Sequence, residues 1–246
     1  MFTCRDLYIG YTKDPSEDCP IANLHLKLEP GTVTLLAGTN GAGKSSLLRT
    51  LAGLQEAVSG EVAYAEHVIR ANAAETNAQV VSIMFSTPPT LEYSLVQEVV
   101  LSGMSRFLNP WDWDYSVTAE IANQALAKTG AEAFSLKQFA ALSDGEKQKV
   151  MLARCLAQNT PVILLDEPLA FLDYPSRLDM LQLIQRIAHE TNKTILFSSH
   201  DIEIALPYSD NLLFLKGKGP WYFTQGREAM DAIVPSTLFS GGERTR

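Results

Sequence analysis

The chain has 246 residues, 46% of them hydrophobic and 20% charged, with a formal net charge of −8; this excludes a disordered or fibrous protein and leaves room for one large domain rather than two. The acidic balance, without any Lys/Arg-rich run, argues against nucleic acid or an anionic lipid surface as the main partner. No apolar run approaches the roughly 18 residues of a transmembrane helix, and the N-terminal "MFTCRDLYIGY" carries no signal-peptide pattern.

In chain order, "LYIGY", "NLHLKLEP" and "TVTLLAG" predict strands. "GTNGAGKS", Gly38 to Ser45, follows the third of them and opens the helical pattern "SSLLRTLAGL". From about Pro88 to Asn159 the chain reads mostly helical and looks like an insertion. Within it, "SVTAEIANQALAKTG" puts Val117, Ile121 and Ala125 on one face and ends at a Gly130 C-cap. "ALSDGEKQK" starts another helix: Ser143 has N-cap chemistry and Glu146 completes a capping box, while Gly145 sits in the first turn, where glycine is costly. "VILLDEP" and "TILFSSH" predict buried parallel strands. The helix between them carries Leu178, Leu181, Ile184 and Ala188 on one face, with Pro175 in its first turn, which makes a βαβ crossover. The order implies an α/β fold. Cys4, Cys19 and Cys155 form no C-x-x-C pair, so free thiols of a reducing cytoplasm are expected.

Two of these segments carry chemistry. "GTNGAGKS" matches G-x-x-x-x-G-K-[ST] between a strand and a helix, the context in which backbone N–H groups cradle a phosphate at a helix N-terminus. Gly38, Gly41 and Gly43 free the backbone to turn inward, Lys44 adds a positive charge toward the β- and γ-phosphates, and Ser45 offers a hydroxyl to Mg²⁺. The whole loop, with Thr39, Asn40, Ala42 and Ser46, is the candidate nucleotide site. "VILLDEP" delivers two carboxylates at the end of a buried strand, an expensive arrangement unless a cation is nearby. Asp166 is then the candidate magnesium ligand, through water, and Glu167 the general base that polarises the attacking water.

Together these residues resemble the ABC ATPase family: "GTNGAGKS" as Walker A, "LSDGEKQK" as signature, "VILLDEP" as Walker B, "LAFLD" as D-loop and His200 as switch histidine, in the family's order over nearly the whole chain. The resemblance implies a P-loop NTPase (RecA-like) core with an N-terminal antiparallel β subdomain and an inserted helical subdomain. The chain would then be one ATP-binding domain over 1–246, with the helical part at about 88–159 and a polar tail at about 240–246. It also implies that Ser143, Asp144, Gly145 and Glu146 close over a nucleotide held by a second chain. Asp173 then crosses that interface, Tyr11 stacks on adenine, and His200 acts beside Glu167. "SGGER", Ser240 to Arg244, imitates a signature, but only Thr245 and Arg246 follow, too few for a helix.

The stretches "EYSLVQEVVLSGMSRFLNPW" and "HDIEIAL" are similar to ATPase subunits of bacterial iron-chelate, haem and vitamin B12 importers. That implies ATP and Mg²⁺ as cofactors, a homodimer, an integral-membrane permease with its substrate-binding protein, and a peripheral place on the cytoplasmic face of the inner membrane. The other reading is a soluble ABC ATPase that remodels a cytosolic complex. "NPWDWDYS", with Trp111, Trp113 and Tyr115, serves either as a permease-docking surface or as packing for its own subdomain. One departure stands out: the glutamine that usually ends the strand leading into the helical subdomain is replaced by Ser86, or by Phe85 with a one-residue slip. Ser86 is therefore the third candidate metal contact, through a bridging water.

Overall fold

The computed structural model describes residues 1–10, 19–89, 91–104, 115–217 and 220–226. Tyr11, Trp111, Trp113, the side chain of Tyr115 and the tail from Ser240 lie outside the described residues, and with them the expectations placed there.

Two sheets share the chain. The first is antiparallel, in the order β2-β1-β4-β5, formed by β1 (Phe2–Ile9), β2 (Ile21–Leu28), β4 (Ser59–Tyr64) and β5 (His67–Ile69). Between them in sequence come β3 (Val33–Gly38) and α1 (Lys44–Leu51). The second sheet has the order β10-β9-β3-β8-β7-β6 and adds β6 (Val81–Met84), β7 (Val162–Leu165), β8 (Thr194–Ser198), β9 (Asn211–Leu215) and β10 (Trp221–Gln225). It is parallel from β9 to β6, with β10 antiparallel at the edge. The short α2 (Ala74–Asn77) precedes β6, and α3 (Val96–Ser102), α4 (Tyr115–Thr129) and α5 (Asp144–Ala157) fill the stretch from β6 to β7. α6 (Tyr174–Thr191) crosses from β7 to β8, and α7 (Ile202–Ala205) follows β8.

Alternation along the central strands builds two cores, one on each face of the second sheet. Val33, Leu35, Ala37, Ile163 and Leu165 face α3 to α6, while Leu36, Val162, Leu164 and Leu196 face α1 and the antiparallel sheet. The loops after β3, β6, β7 and β8 leave the carboxyl ends of these strands, the usual place for a ligand in an open α/β sheet.

Two expectations need correction. On α4 the buried stripe is Thr118, Ala122, Ala125, Leu126 and Thr129; of the predicted face Ala125 is buried and Ile121 packs against the core, but Val117 is 54% exposed. The stripe is made of small residues because α4 packs closely on α5. β4 and β5 were not predicted at all; their two-residue turn, Ala65-Glu66, has Ala65 at φ 51° and lacks the Asn-Gly or Asp-Gly signal that marks such hairpins. Other elements agree: α4 ends at Gly130 with φ 67°, and on α6 Leu181, Ile184 and Ala188 are buried, with Leu178 half-buried.

Candidate functional site

The loop after β3 is shaped by its glycines. A Cβ on Gly38 would collide with the Leu215 carbonyl of the neighbouring strand, and Gly43, the N-cap of α1, has φ 92°, which an L side chain rarely adopts. α1 therefore begins at the end of this loop, with its N-terminus beside Lys44 and Ser45. Lys44, 7% exposed, donates from Nζ to the carbonyls of Gly38 at 3.1 Å and Thr39 at 3.4 Å. Burial lowers its pKa, opposed by the charges of Glu167 and Asp166. A cation held in this way, half stripped of water, is ready for an anionic guest.

β7 brings Asp166 and Glu167 to the same place. Asp166 is 5% exposed, and its Oδ1 accepts from Ser45 Oγ at 3.1 Å and from Ser198 Oγ at 2.9 Å. The Ser198 hydroxyl also accepts the Glu167 backbone N–H at 2.8 Å. Ser198, fully buried at the end of β8, thus fixes both acidic residues, one by side chain and one by main chain. Glu167 has φ 51°, an uncommon conformation for a non-glycine residue, which persists only where the surroundings over-determine it. Its carboxylate lies 2.8 Å from His200 Nε2, within hydrogen-bond distance. Burial raises the Glu167 pKa, with Asp166 and Asp201 adding to the rise and His200 and Lys44 opposing it. A carboxylate raised in this way is a stronger base than an exposed one.

Ser86 stands two residues beyond β6, half-buried. The Met84 carbonyl accepts the Asp166 N–H at 2.8 Å, so the chain leaves β6 beside the acidic pair. The loop that carries Phe85 and Ser86 therefore starts next to Asp166.

The signature turn lies elsewhere. Ser143 Oγ accepts the Glu146 N–H at 3.4 Å, and Glu146 Oε2 accepts the Ser143 N–H and hydroxyl, both at 2.7 Å. The capping box is formed as expected, and these hydrogen bonds lower the Glu146 pKa. Among the described residues, the side-chain hydrogen bonds of Ser143 and Glu146 stay within the first turn of α5. A Cβ on Gly145 would meet Leu172 Cδ2 at 3.7 Å and Ser176 Oγ at 3.8 Å, ordinary contacts that alanine would satisfy. Asp173, assigned to the D-loop, is the N-cap of α6 and accepts from the Ser176 N–H at 3.0 Å.

The structure thus brings the Gly38–Ser46 loop, Asp166, Glu167 and His200 together, while Ser143 to Glu146 form the cap of α5 and Asp173 the cap of α6. It adds Ser198, which sequence reasoning missed; the available signal was the pair of serines before the histidine in "FSSHD". A cavity of about 630 Å³ lies at the opposite ends of the strands, beside Gln79, Asn159 and Lys193, away from this chemistry.

Comparisons with known proteins converge. The ABC transporter family profile matches residues 21–170. The achromobactin transport ATP-binding protein CbrD of Dickeya dadantii is 33% identical over 97% of this chain and 87% of its own length. The iron(3+)-hydroxamate import ATP-binding protein FhuC of Bacillus subtilis is 31% identical over 95% of this chain and 84% of its own. Among solved structures, CbiO1 of Clostridium perfringens, part of the ABC transporter complex CbiONQ, superposes with a TM-score of 0.81 at 25% identity, covering 96% and 92% of the two chains. A nucleotide-free cassette from another ABC transporter shares the fold, with a TM-score of 0.84 at 21% identity over 98% and 97%.

Proposed function

The chain belongs to the ABC transporter family, whose ATP-binding subunits hydrolyse ATP, and from that premise we propose that two copies share each nucleotide, one supplying the Lys44 loop and the other the Ser143–Gly145 turn. The cycle drives import of an iron chelate or a corrinoid through a separate permease served by a substrate-binding protein. The cargo reading rests on relatives named for achromobactin, petrobactin, iron(3+)-hydroxamate and cobalamin. No helix among the described residues is long and apolar enough to cross a membrane, and the chain is assigned to the cytoplasmic face of one, held there by the permease.

One observation carries the shared-site reading. Gly145 costs its helix roughly 0.5–1 kcal/mol against alanine, and its own chain has room for the missing methyl. The glycine therefore serves a surface outside the chain. At a helix N-terminus, a missing side chain lets backbone N–H groups approach an anion.

The Ser45 hydroxyl and the Asp166 carboxylate are hard oxygen donors that fit a magnesium ion, and among the described residues no cluster of three or more His, Cys, Asp or Glu offers a closed protein cage. One carboxylate, one hydroxyl and the phosphates of the substrate would hold the ion, which when bound neutralises charge developing on the phosphates. Glu167 accepts the proton of the attacking water, His200 orients the Glu167 carboxylate through its Nε2–H, and Lys44 binds the β- and γ-phosphates of ATP. Ser198 keeps Asp166 and Glu167 in register throughout.

The experiment is ATP hydrolysis per chain across a wide dilution series, with affinity capture of the chain from solubilised membranes alongside. A specific rate that climbs with concentration, with a many-spanning permease co-purifying, is the expected result. A flat rate overturns the shared site. A membrane-free partner complex overturns the importer.

A further inference from the structure

The guanidinium of Arg177, in the first turns of α6, bridges two loops that the chemistry above treats separately. Its Nε donates to the Leu172 carbonyl at 2.9 Å, just before the Asp173 N-cap. Its Nη1 donates to Asp201 Oδ2 at 2.7 Å, the residue directly after His200. Asp201 is the N-cap of α7, where a carboxylate ordinarily accepts an N–H of the helix it begins, yet its side chain makes no such bond. Instead it is given to Arg177, while its own N–H is held by Ser199 Oγ at 3.0 Å.

These contacts close a ring. From Glu167 the chain runs through two tight turns, with Ala170 N–H donating to Glu167 O at 3.0 Å and Leu172 N–H to Leu169 O at 3.4 Å, and Phe171 between them held at φ 65°. Arg177 then ties Leu172 to Asp201, and His200 returns to Glu167 at 2.8 Å. A guanidinium is a rigid planar fork, so the Leu172 carbonyl and the Asp201 carboxylate are held at a fixed offset; a lysine, a single point donor on a flexible stem, cannot reproduce that. The pair is partly exposed, 30% for Arg177 and 43% for Asp201, so it adds little to global stability. Its weight lies in geometry.

We infer that Arg177 is a positioning residue that couples the Leu172–Asp173 turn to the His200–Glu167 pair, so that a second chain seated against the turn sets the histidine. This rests on the shared-site reading above. Displacing the turn moves the Leu172 carbonyl, the fork moves with it, and Asp201 carries its neighbour His200 toward or away from Glu167. The device is mechanical and needs no change of protonation.

The test is single-turnover ATP hydrolysis by the full chain for Arg177→Lys, Arg177→Ala and Asp201→Asn, each alone and in a His200→Ala background, with nucleotide affinity and melting temperature measured in parallel. The expected result is a rate lower by roughly tenfold for each single variant, the size of typical couplings. Nucleotide affinity should stay within about twofold and the melting temperature should hardly move. In the His200→Ala background the Arg177 and Asp201 substitutions should have no further effect, because the histidine through which they act is gone. Losses that persist undiminished in that background, or a weakened nucleotide affinity at unchanged rate, overturn the proposal. So does a wild-type rate for Arg177→Lys, which keeps the charge and loses the fork. Dilution of the wild-type chain separates the two readings: a concentration-dependent rate with wild-type behaviour in the variants defeats Arg177 alone, whereas a flat wild-type rate defeats the shared site itself.

Discussion

The loop at Gly38 to Ser46 and the turn at Ser143 to Glu146 are both glycine-bearing helix starts, but they use glycine for opposite reasons. In the first, the chain's own geometry demands it: Gly43 sits at φ 92° and Gly38 has the Leu215 carbonyl where a Cβ would go. In the second, nothing in the chain does: Gly145 has an ordinary helical place and open contacts of 3.7 Å and more. A glycine with a local reason completes a site within one fold. A glycine without one is, on the proposed function, half of a site whose other half is another molecule, and each substitution below tests that distinction or the machinery built on it.

The largest effect is expected at the centre of the complete half. Glu167→Gln should cut hydrolysis by at least ~10²-fold while nucleotide binding persists, because only the proton acceptor is lost; an unchanged rate would remove Glu167 from the mechanism. The same variant makes a stability prediction with a definite sign. Burial raises the Glu167 pKa from its ordinary 4.5, so the folded state holds the proton more tightly than the unfolded chain, and stability is lost as pH rises from that ordinary value through the folded one. Glutamine removes this penalty. Thermal unfolding should find the variant at least as stable as wild type at neutral pH, with its relative advantage shrinking as pH falls below the carboxylate range.

The comparison itself is broken or sharpened by a matched pair, Gly145→Ala and Gly43→Ala. The first should leave the fold as stable or gain roughly 0.5–1 kcal/mol of helix propensity, yet lose about 30-fold in hydrolysis, the equivalent of one charge-assisted hydrogen bond of about 2 kcal/mol. The second should destabilise the fold, by about 1–2 kcal/mol from left-handed strain alone. If Gly145→Ala hydrolysed ATP at the wild-type rate, the turn would be a cap and nothing more.

How much of this was legible follows the same division. The phosphate loop, the acidic pair and the capping box were readable because each is a contiguous run whose residues meet within one turn: Ser143 and Glu146 are three apart in sequence and 2.7 Å apart in space. Ser198 was not, because it meets Asp166 across two strands that the sequence separates by a whole helix. Arg177 and Asp201 were missed for the same reason. In the fold, the β4–β5 hairpin was lost because Ala65 occupies a positive-φ turn position without a residue that advertises it. On α4 the sequence placed Ala125 correctly but Val117 wrongly, because apolar counting favours valine where helix packing buries the more polar Thr118 and the smaller Ala122. Local chemistry is written in order; register across elements is written only in three dimensions.

Ser198→Ala measures what that hidden register contributes. It removes one donor to the Asp166 carboxylate and the acceptor of the Glu167 N–H in a fully buried place. We expect about 1–3 kcal/mol of lost stability and a rate lower by roughly tenfold. Ser198→Thr, which keeps the hydroxyl, should restore most of the rate if its added methyl is accommodated. Equal rates for Ser198→Ala and wild type would show that the acidic pair holds its geometry without the bridge.

The smallest effect is expected at Ser86, where the family resemblance calls for a glutamine. A serine hydroxyl at Ser86 stops roughly two bonds short of a glutamine amide, so contact with a metal or the attacking water needs a bridging water, which replaces a direct hydrogen bond at little enthalpic cost. The loop still leaves β6 beside Asp166, because the Met84 carbonyl is bonded to the Asp166 N–H at 2.8 Å. That tie is made by backbone and survives any change of side chain at the next position but one. Pro88 and Pro89 restrict the exit further, since each fixes its own φ. Ser86→Ala should lower hydrolysis only a few-fold, since a bridging water keeps its other partners when the hydroxyl is lost. Ser86→Gln, which restores the longer amide, should be active as well. If Ser86→Ala fell as far as Glu167→Gln, the hydroxyl would be a direct participant in the chemistry, and the acidic pair would not be the complete half-site described here.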